Sequence, residues 1–399
     1  MNNSSDQPTV AVVEAVRTPI GSFQGMFASL PAHRLGSIAI AEVLRRAEVL
    51  PDQVDELVMG QVYTGGCGAN PARQASVAAG LPFHVPATTI NMLCGSGLKA
   101  IACGYQAIQC GLARVVVAGG MESMSNAPYV VPGVRGGLKM GHRQLIDTMI
   151  HDALWDPFND CHMGSTAEHL ARKFAVSRED QDRYAMLSQD RYQTALADDR
   201  FDRQIVEVAV PGRKGEVTTH RHDEHPRGDL QYDAIAKMKP CFENDGTVTA
   251  ANASGLNDGA ATVLLMSREE VRQRGIQPLA WISGFSNVGL DPMEMGMGPA
   301  IAIKKLLEQR VLDLSDIDLL EVNEAFAAQT LAVGKSLAWD IERVNVNGGA
   351  IAVGHPLGAS GSRVVVTLLH EMRRRECARG IAALCIGGGM GIAMLFEQG

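Results

Sequence analysis

A chain of 399 residues, 46% hydrophobic and 20% charged, has the composition of a globular protein with room for two or three domains and a large core. Its formal net charge of −8 argues against a nucleic-acid surface, while a small basic patch for a phosphate-bearing ligand stays compatible with it. The 42 glycines follow no repeat period and signal tight turns rather than a fibre.

The opening segment 1–8 is polar and has no basic residue, unlike a secretory signal or an Arg-rich transit peptide. No apolar run downstream approaches a membrane span. The eight cysteines include no Cys-x-x-Cys pair. These features predict a reduced, cytoplasmic protein without structural zinc, a disulfide framework or a membrane partner.

A strand is expected over 9–16. Leu35, Ile38, Ala39, Val43 and Leu44 mark one face of a helix. A strand over 56–62, a short helix over 71–79 and a strand over 87–91 follow. Leu98, Ile101, Ala102, Tyr105, Ile108 and Leu112 recur at helical spacing, and 114–118 reads as a buried strand ending in Gly119-Gly120. Such alternation implies a mostly parallel sheet with helices on its faces. The order returns after Gln277: strands over 279–285, 317–322, 344–347, 381–385 and 392–396, with helices over 300–307, 325–338 and 362–372. The first half finds its last strand only at 259–266. The chain thus reads as two copies of one α/β unit, 1–274 and 275–399, with an insertion at about 121–256 in the first. Within the insertion, 123–143 reads as a loop, and helices are expected over 163–174 and 177–197. The stretch 218–229, rich in histidine, arginine and carboxylates, reads as a solvent-facing loop. An insertion on a rigid sheet is a common place for substrate-binding elements.

Three glycine-framed turns each carry one reactive side chain: Cys94, His355 and Cys385. Cys94 lies after a strand and at the start of a helix, whose dipole and free N–H groups favour thiolate. Read alone, it serves equally as a nucleophile or as a buried structural cysteine. His355, between glycine-rich flanks and fixed by Pro356, suits a general base for a thiol in reach; a turn or capping histidine is the plainer reading. Cys385 ends a strand, and Gly387 to Gly389 offer backbone N–H groups for an oxyanion; the plainer reading is a core cysteine. A thiol of modestly lowered pKa can also serve as acid and base toward carbon. Asn323 ends another strand, where such sheets bind ligands, and equally fits a helix N-cap.

Seven motifs in this order resemble the thiolase family: Arg17-Thr18-Pro19, Cys94-Gly95-Ser96-Gly97, Gly119 to Met124, Asn252 to Gly259, Asn323-Glu324-Ala325-Phe326, Gly354 to Gly361, and Cys385 to Gly389. The likeness covers nearly the whole chain and is nearest to the acetyl-CoA C-acetyltransferase type. It implies a duplicated βαβαβαββ fold in five layers (αβαβα), with an inserted loop domain, and a homotetramer. It further implies ping-pong condensation of two acetyl-CoA molecules to acetoacetyl-CoA and CoA, with CoA a substrate part rather than a cofactor, and no metal. Cys94 would be the nucleophile, His355 its base, and Cys385 the acid–base for the α-proton. Asn323 would hold a water for the enolate oxygen, and the N–H groups of Cys94 and Gly387 would receive the acyl-enzyme oxygen. His162, Met163, Arg227, Ala253, Ser254, Ala325 and Phe326 match the family's CoA-binding positions, and Met163 and Met295 resemble the bulky residues of short-chain members.

A broader-range 3-ketoacyl-CoA thiolase is the near alternative. A β-ketoacyl synthase shares the fold but sets a second histidine, or an asparagine, where Cys385 stands. A non-catalytic acyl-CoA-binding protein would not need all three reactive side chains.

Overall fold

The computed structural model describes residues 9–399; segment 1–8, and with it the reading of a start without a targeting signal, lies outside the described residues. The first half contributes β1 (Val10–Arg17), α1 (Ala32–Arg46), β2 (Glu56–Gly60), α2 (Pro71–Ala78), β3 (Ala87–Ile90), α3 (Ser96–Gln109) and β4 (Val115–Ser123). The insertion carries α4 (Met163–Lys173) and α5 (Arg178–Ala197), after which β5 (Asn257–Ser267) completes the half. The second half is β6 (Ala280–Gly289), α6 (Gly298–Arg310), β7 (Leu319–Val322), α7 (Ala327–Leu337), α8 (Leu357–Arg375), β8 (Arg379–Ile386) and β9 (Met390–Glu397).

These strands run in the order β7-β8-β9-β6-β1-β5-β4-β2-β3. The expected mostly parallel sheet is wrong. Only β2 with β3 and β4, and β7 with β8, pair in parallel. Each half ends on a strand that returns antiparallel to its neighbour, and the halves meet where Val10–Val12 of β1 lies antiparallel to Ala280–Ile282 of β6.

Side-chain alternation along the strands builds five layers. In β1, Val10, Val12 and Ala15 face a central core with α3 and α8, whereas Ala11, Val13 and Val16 face an outer core with α1 and α2. A bulge between Val12 and Glu14 changes the phase of that alternation. On the other outer face, Ile303 and Leu306 of α6 pack on Leu320, Ile381 and Leu395.

The central helices touch backbone to backbone. A Cβ on Gly97 would stand 2.6 Å from the Ser362 nitrogen, and one on Gly361 would strike the Leu98 nitrogen. The expected end of β4 at Gly119-Gly120 is also corrected, because the strand continues to Ser123. There the glycines admit the backbones of Ala261 and Gly358, which a Cβ on Gly119 or Gly120 would strike. The expected strand over 344–347 shrinks to one bridge between Leu320 and Val344. Asn345 turns to φ +47°, and its side chain completes the ladder to β7 instead: Oδ1 accepts from Val322 N at 2.8 Å and Nδ2 donates to Val322 O at 2.8 Å.

The stretch 218–229 is not simply solvent-facing. Val217–His220 pairs with Val208–Pro211. Beyond it, Asp223 is buried against Arg17 in a bidentate pair of 2.7 and 2.9 Å, and also accepts from Ile20 N and the Tyr192 hydroxyl. Glu224 accepts from the backbone of Ser22 and Met26. The motif arginine thus anchors the insertion to the end of β1. Replacing Asp223 with Ala strands a buried guanidinium, so denaturant unfolding should show a loss of about 3–5 kcal/mol. A change within ~0.5 kcal/mol, the range of an ordinary surface site, would contradict this assignment.

Candidate active site

The Cys94 turn is tied from both sides. Asn91 Oδ1 accepts from Leu93 N at 2.9 Å, while Ser96 Oγ accepts from Met92 N at 2.8 Å and donates to Leu93 O at 2.7 Å. This holds Leu93 at φ +47°, a conformation that costs a non-glycine residue on the order of 1 kcal/mol. It sets the next side chain, the Cys94 thiol, at the mouth of α3. The N–H groups of Gly387 and of Cys94 itself hydrogen-bond that sulfur. The two donors expected to receive an acyl oxygen therefore converge at the Cys94 sulfur.

His355 sits on a loop that Asn257 holds: Asn257 Oδ1 accepts from His355 N at 2.8 Å and Nδ2 donates to Gly21 O at 3.0 Å. Ser360 Oγ lies 2.5 Å from His355 Nδ1 and donates its own proton to Pro356 O. Oγ must then accept from Nδ1–H, which leaves Nε2 as the acceptor nitrogen. Asn323 Nδ2 lies 3.3 Å from Nε2. The alternative of Asn323 as a helix cap falls away, because α7 begins at Ala327 with Phe326 as its cap residue.

Cys385 ends β8, buried. The Ala325 N–H hydrogen-bonds its sulfur, and Cys94 lies close enough to act on it electrostatically. Burial dominates the charges here. It pushes the Cys94 thiol up to about 11 despite its two N–H donors. It raises Cys385 as well, with the neighbouring Cys94 adding to the effect. Burial, with the charge of Arg363, lowers His355 to about 3. The favoured thiolate at Cys94 and the modestly lowered thiol at Cys385 are both corrected: desolvation outweighs the nearby backbone N–H groups, which leaves thiol, thiol and neutral imidazole.

One cavity of about 580 Å³ is lined by Cys94, His355, Cys385 and Gly387 together. His162, Met163, Arg227 and Ala253 reach the same cavity, as do Ser254, Met295, Ala325 and Phe326. Asn323 lies behind His355 and does not line it. Met163 and Met295 are buried in the wall, and a Cβ on Gly387 would stand 3.0 Å from Met163 Cε. Sequence reasoning missed Phe242, whose ring stacks on His162 at 4.6 Å and meets Phe326 edge-on at 6.1 Å. It also missed His225 in the cavity wall and Ser360 behind His355. Ser360 lies in the Gly354 to Gly361 motif, five residues after His355, and that proximity was the available signal.

A duplicated five-layer α/β fold that brings Cys94, Cys385 and His355 into a shared cleft defines a class of thiol-dependent acyl-transfer protein. The chain belongs to the thiolase family: residues 10–269 match the thiolase N-terminal domain and 276–398 the thiolase C-terminal domain. It is 55% identical over 389 residues to an acetyl-CoA acetyltransferase of Pseudomonas aeruginosa, covering 98% of this chain and 99% of that one. It is 52% identical, with the same coverage, to an acetyl-CoA acetyltransferase of Cupriavidus necator. Among solved structures it superposes on the Bacillus anthracis acetyl-CoA acetyltransferase with a TM-score of 0.96 at 44% identity, covering 99% of this chain and 100% of that one. Human mitochondrial 3-ketoacyl-CoA thiolase gives 0.95 at 43%, covering 98% and 99%.

The raised thiol makes a pH prediction. A folded-state value near 11 means the reactive thiolate is scarce at neutral pH and grows tenfold per pH unit below that value. Alkylation of Cys94 by iodoacetamide, followed by mass spectrometry, should therefore climb with that slope through the alkaline range. A rate already flat from neutral pH upward would mean a preformed thiolate and overturn the desolvation argument.

Proposed function

We propose that the protein is an acetyl-CoA C-acetyltransferase: it condenses two acetyl-CoA molecules to acetoacetyl-CoA and CoA, and runs the reverse thiolysis. The observation that carries this reading is the meeting of two thiols, Cys94 and Cys385, in one cleft with the Gly387 N–H on the Cys94 sulfur. Simple acyl transfer needs one thiol. A second one, buried among apolar neighbours, suits a carbon acid.

In the proposed sequence Cys94 Sγ attacks the thioester carbonyl while its proton passes to His355 Nε2. The C–S bond to CoA breaks, and the departing CoA thiolate takes the proton. Acetyl-Cys94 remains, its oxygen held by the N–H groups of Cys94 and Gly387. Cys385 then gives its own proton to His355 and, as thiolate, takes an α-proton from a second acetyl-CoA. Burial that raises the Cys385 pKa also makes that thiolate a stronger base, which a weakly acidic C–H requires. The enolate oxygen is served by His355 and a water held by Asn323. Its carbon attacks the acetyl group, the C–S bond to Cys94 breaks, and the departing Cys94 thiolate takes the proton back from His355. His162, Met163, Arg227, Ala253, Ser254, Ala325 and Phe326 bind CoA, with the Arg227 guanidinium available to the anionic head. Met163 and Met295 limit the acyl chain.

Wider acyl range is the second reading, favoured by the likeness to human mitochondrial 3-ketoacyl-CoA thiolase. Comparing kcat/KM for acetoacetyl-CoA and longer 3-ketoacyl-CoA esters decides between the two. We further propose a cytoplasmic homotetramer serving lipid metabolism. Supporting an assembly, Tyr129, Val134, Leu138, Met140 and Leu145 of the insertion expose apolar side chains along one segment. Among the described residues no helix is long and apolar enough to cross a membrane.

The direct test is cleavage of acetoacetyl-CoA by added CoA, followed as loss of thioester absorbance; no turnover would sink the enzyme reading. Cys94→Ala should abolish acetyl labelling from acetyl-CoA. Cys385→Ala should still label Cys94 but lose condensation by at least the order of 10²–10⁴-fold expected for an acid–base group. Loss of labelling in Cys385→Ala would show the division of roles to be wrong.

A further inference from the structure

Glu324 is a buried carboxylate that the chemistry above does not use. It follows Asn323 directly and is 1% exposed. Four donors from two separate segments converge on it. The Tyr184 hydroxyl at 2.9 Å and Asn345 Nδ2 at 2.9 Å reach Oε1, while the Ser188 hydroxyl at 2.7 Å and Ile351 N at 3.1 Å reach Oε2. Tyr184 and Ser188 belong to α5 of the insertion. Asn345 and Ile351 belong to the segment that leads into His355, and Ile351 lies in the short helix Ala350–Val353 just before Gly354. Gly349 gives the carboxylate room, because a Cβ there would strike it.

Stability alone does not account for such a residue. A buried carboxylate carries a desolvation cost that a well-packed apolar side chain avoids, so it is retained where its geometry is needed. Its geometry reaches both groups assigned to the enolate oxygen. One peptide bond links it to Asn323, and one hydrogen bond holds the helix that delivers His355. The same helix is braced on its other side: Gln189 of α5 donates from Nε2 to Ile351 O at 3.3 Å and accepts the Arg227 N–H at 2.9 Å. The loop bearing Arg227 is therefore joined to the His355 segment through α5.

Resting on the acetyltransferase reading, we propose that Glu324 is the positioning residue that sets Asn323 against His355, and that the insertion acts on the reaction through it. Gln cannot replace it. A carboxamide presents its NH₂ to one pair of donors; the hydroxyl of that pair can turn to accept, but its N–H partner then faces an N–H, so at least one hydrogen bond of the four is lost. Tyr184→Phe removes a single donor and leaves the carboxylate in place.

The experiment compares steady-state thiolysis of acetoacetyl-CoA by wild-type, Glu324→Gln and Tyr184→Phe proteins, with thermal unfolding and iodoacetamide labelling of Cys94 alongside. The expected result is a fall in kcat on the order of 100-fold for Glu324→Gln, as for a small misplacement of reacting groups, with KM and Cys94 labelling little changed. Tyr184→Phe should lose roughly 2- to 10-fold in kcat, the effect of one hydrogen bond. Should Glu324→Gln fail to fold, Tyr184→Phe decides alone. Folded variants with wild-type kcat, or with a loss confined to KM, overturn the proposal. Wild-type protein without turnover overturns the acetyltransferase reading instead, so the two failures are distinguishable.

Discussion

The contact between α3 and α8 is the constraint on which the site depends. Both helices start at the centre of the molecule, and Gly97 and Gly361 let their first turns meet without side chains between them. The sequences at the crossing repeat each other, Cys94-Gly95-Ser96-Gly97 in one half and Gly358-Ala359-Ser360-Gly361 in the other. Each serine turns back onto the loop before its helix: Ser96 onto Leu93 O, and Ser360 onto Pro356 O. In the first half this fixes the Cys94 turn. In the second, the matching serine also accepts a hydrogen bond from His355 Nδ1–H. One device thus does two jobs, and a wider helix crossing would part the Cys94 turn from the His355 turn.

Burial then sets the electrical state of what the crossing brings together. Taking thiols and an imidazole out of water favours the neutral form of each, so the site rests without charge and develops it only with a ligand present. Fixed dipoles are in place for that moment, since the Gly387 and Cys94 N–H groups already meet on the sulfur. A second buried carboxylate, Glu122, fastens the halves nearby, accepting from Val62 N, Tyr63 N and Gly358 N. Burial raises its value to about 7 even so, a measure of how dry the region is.

The elements that carried a clear period were legible in the sequence, as were the three reactive turns. What was not legible had local causes. Asn345 reads as part of a strand, yet its side chain substitutes for the backbone ladder and lets the chain turn. Gly119-Gly120 reads as a stop, but the glycines are there for close backbone approach within a continuing strand. Asp223 looks like a surface charge until Arg17, distant in sequence, is brought beside it. Burial also reversed the sign expected for both thiol shifts, because a helix terminus is visible in a sequence whereas the surrounding shell is not. Phe242 carried no local pattern that set it apart from any core aromatic.

The insertion is where these strands of argument meet. Arg17 ties it to β1 through Asp223, and α5 ties it to the segment before His355 through Tyr184, Ser188 and Gln189. Its far end exposes an apolar run, while its near wall supplies His162, Met163 and Phe242 to the cleft. A segment only perched on the sheet would leave the catalytic turns indifferent to it. Here the chain that lines the cavity and the chain that carries the imidazole share hydrogen-bond partners, so binding energy gathered along the cavity has a physical route to the placement of His355. That is the arrangement a reaction requires when its substrates are long and its chemistry is confined to one end.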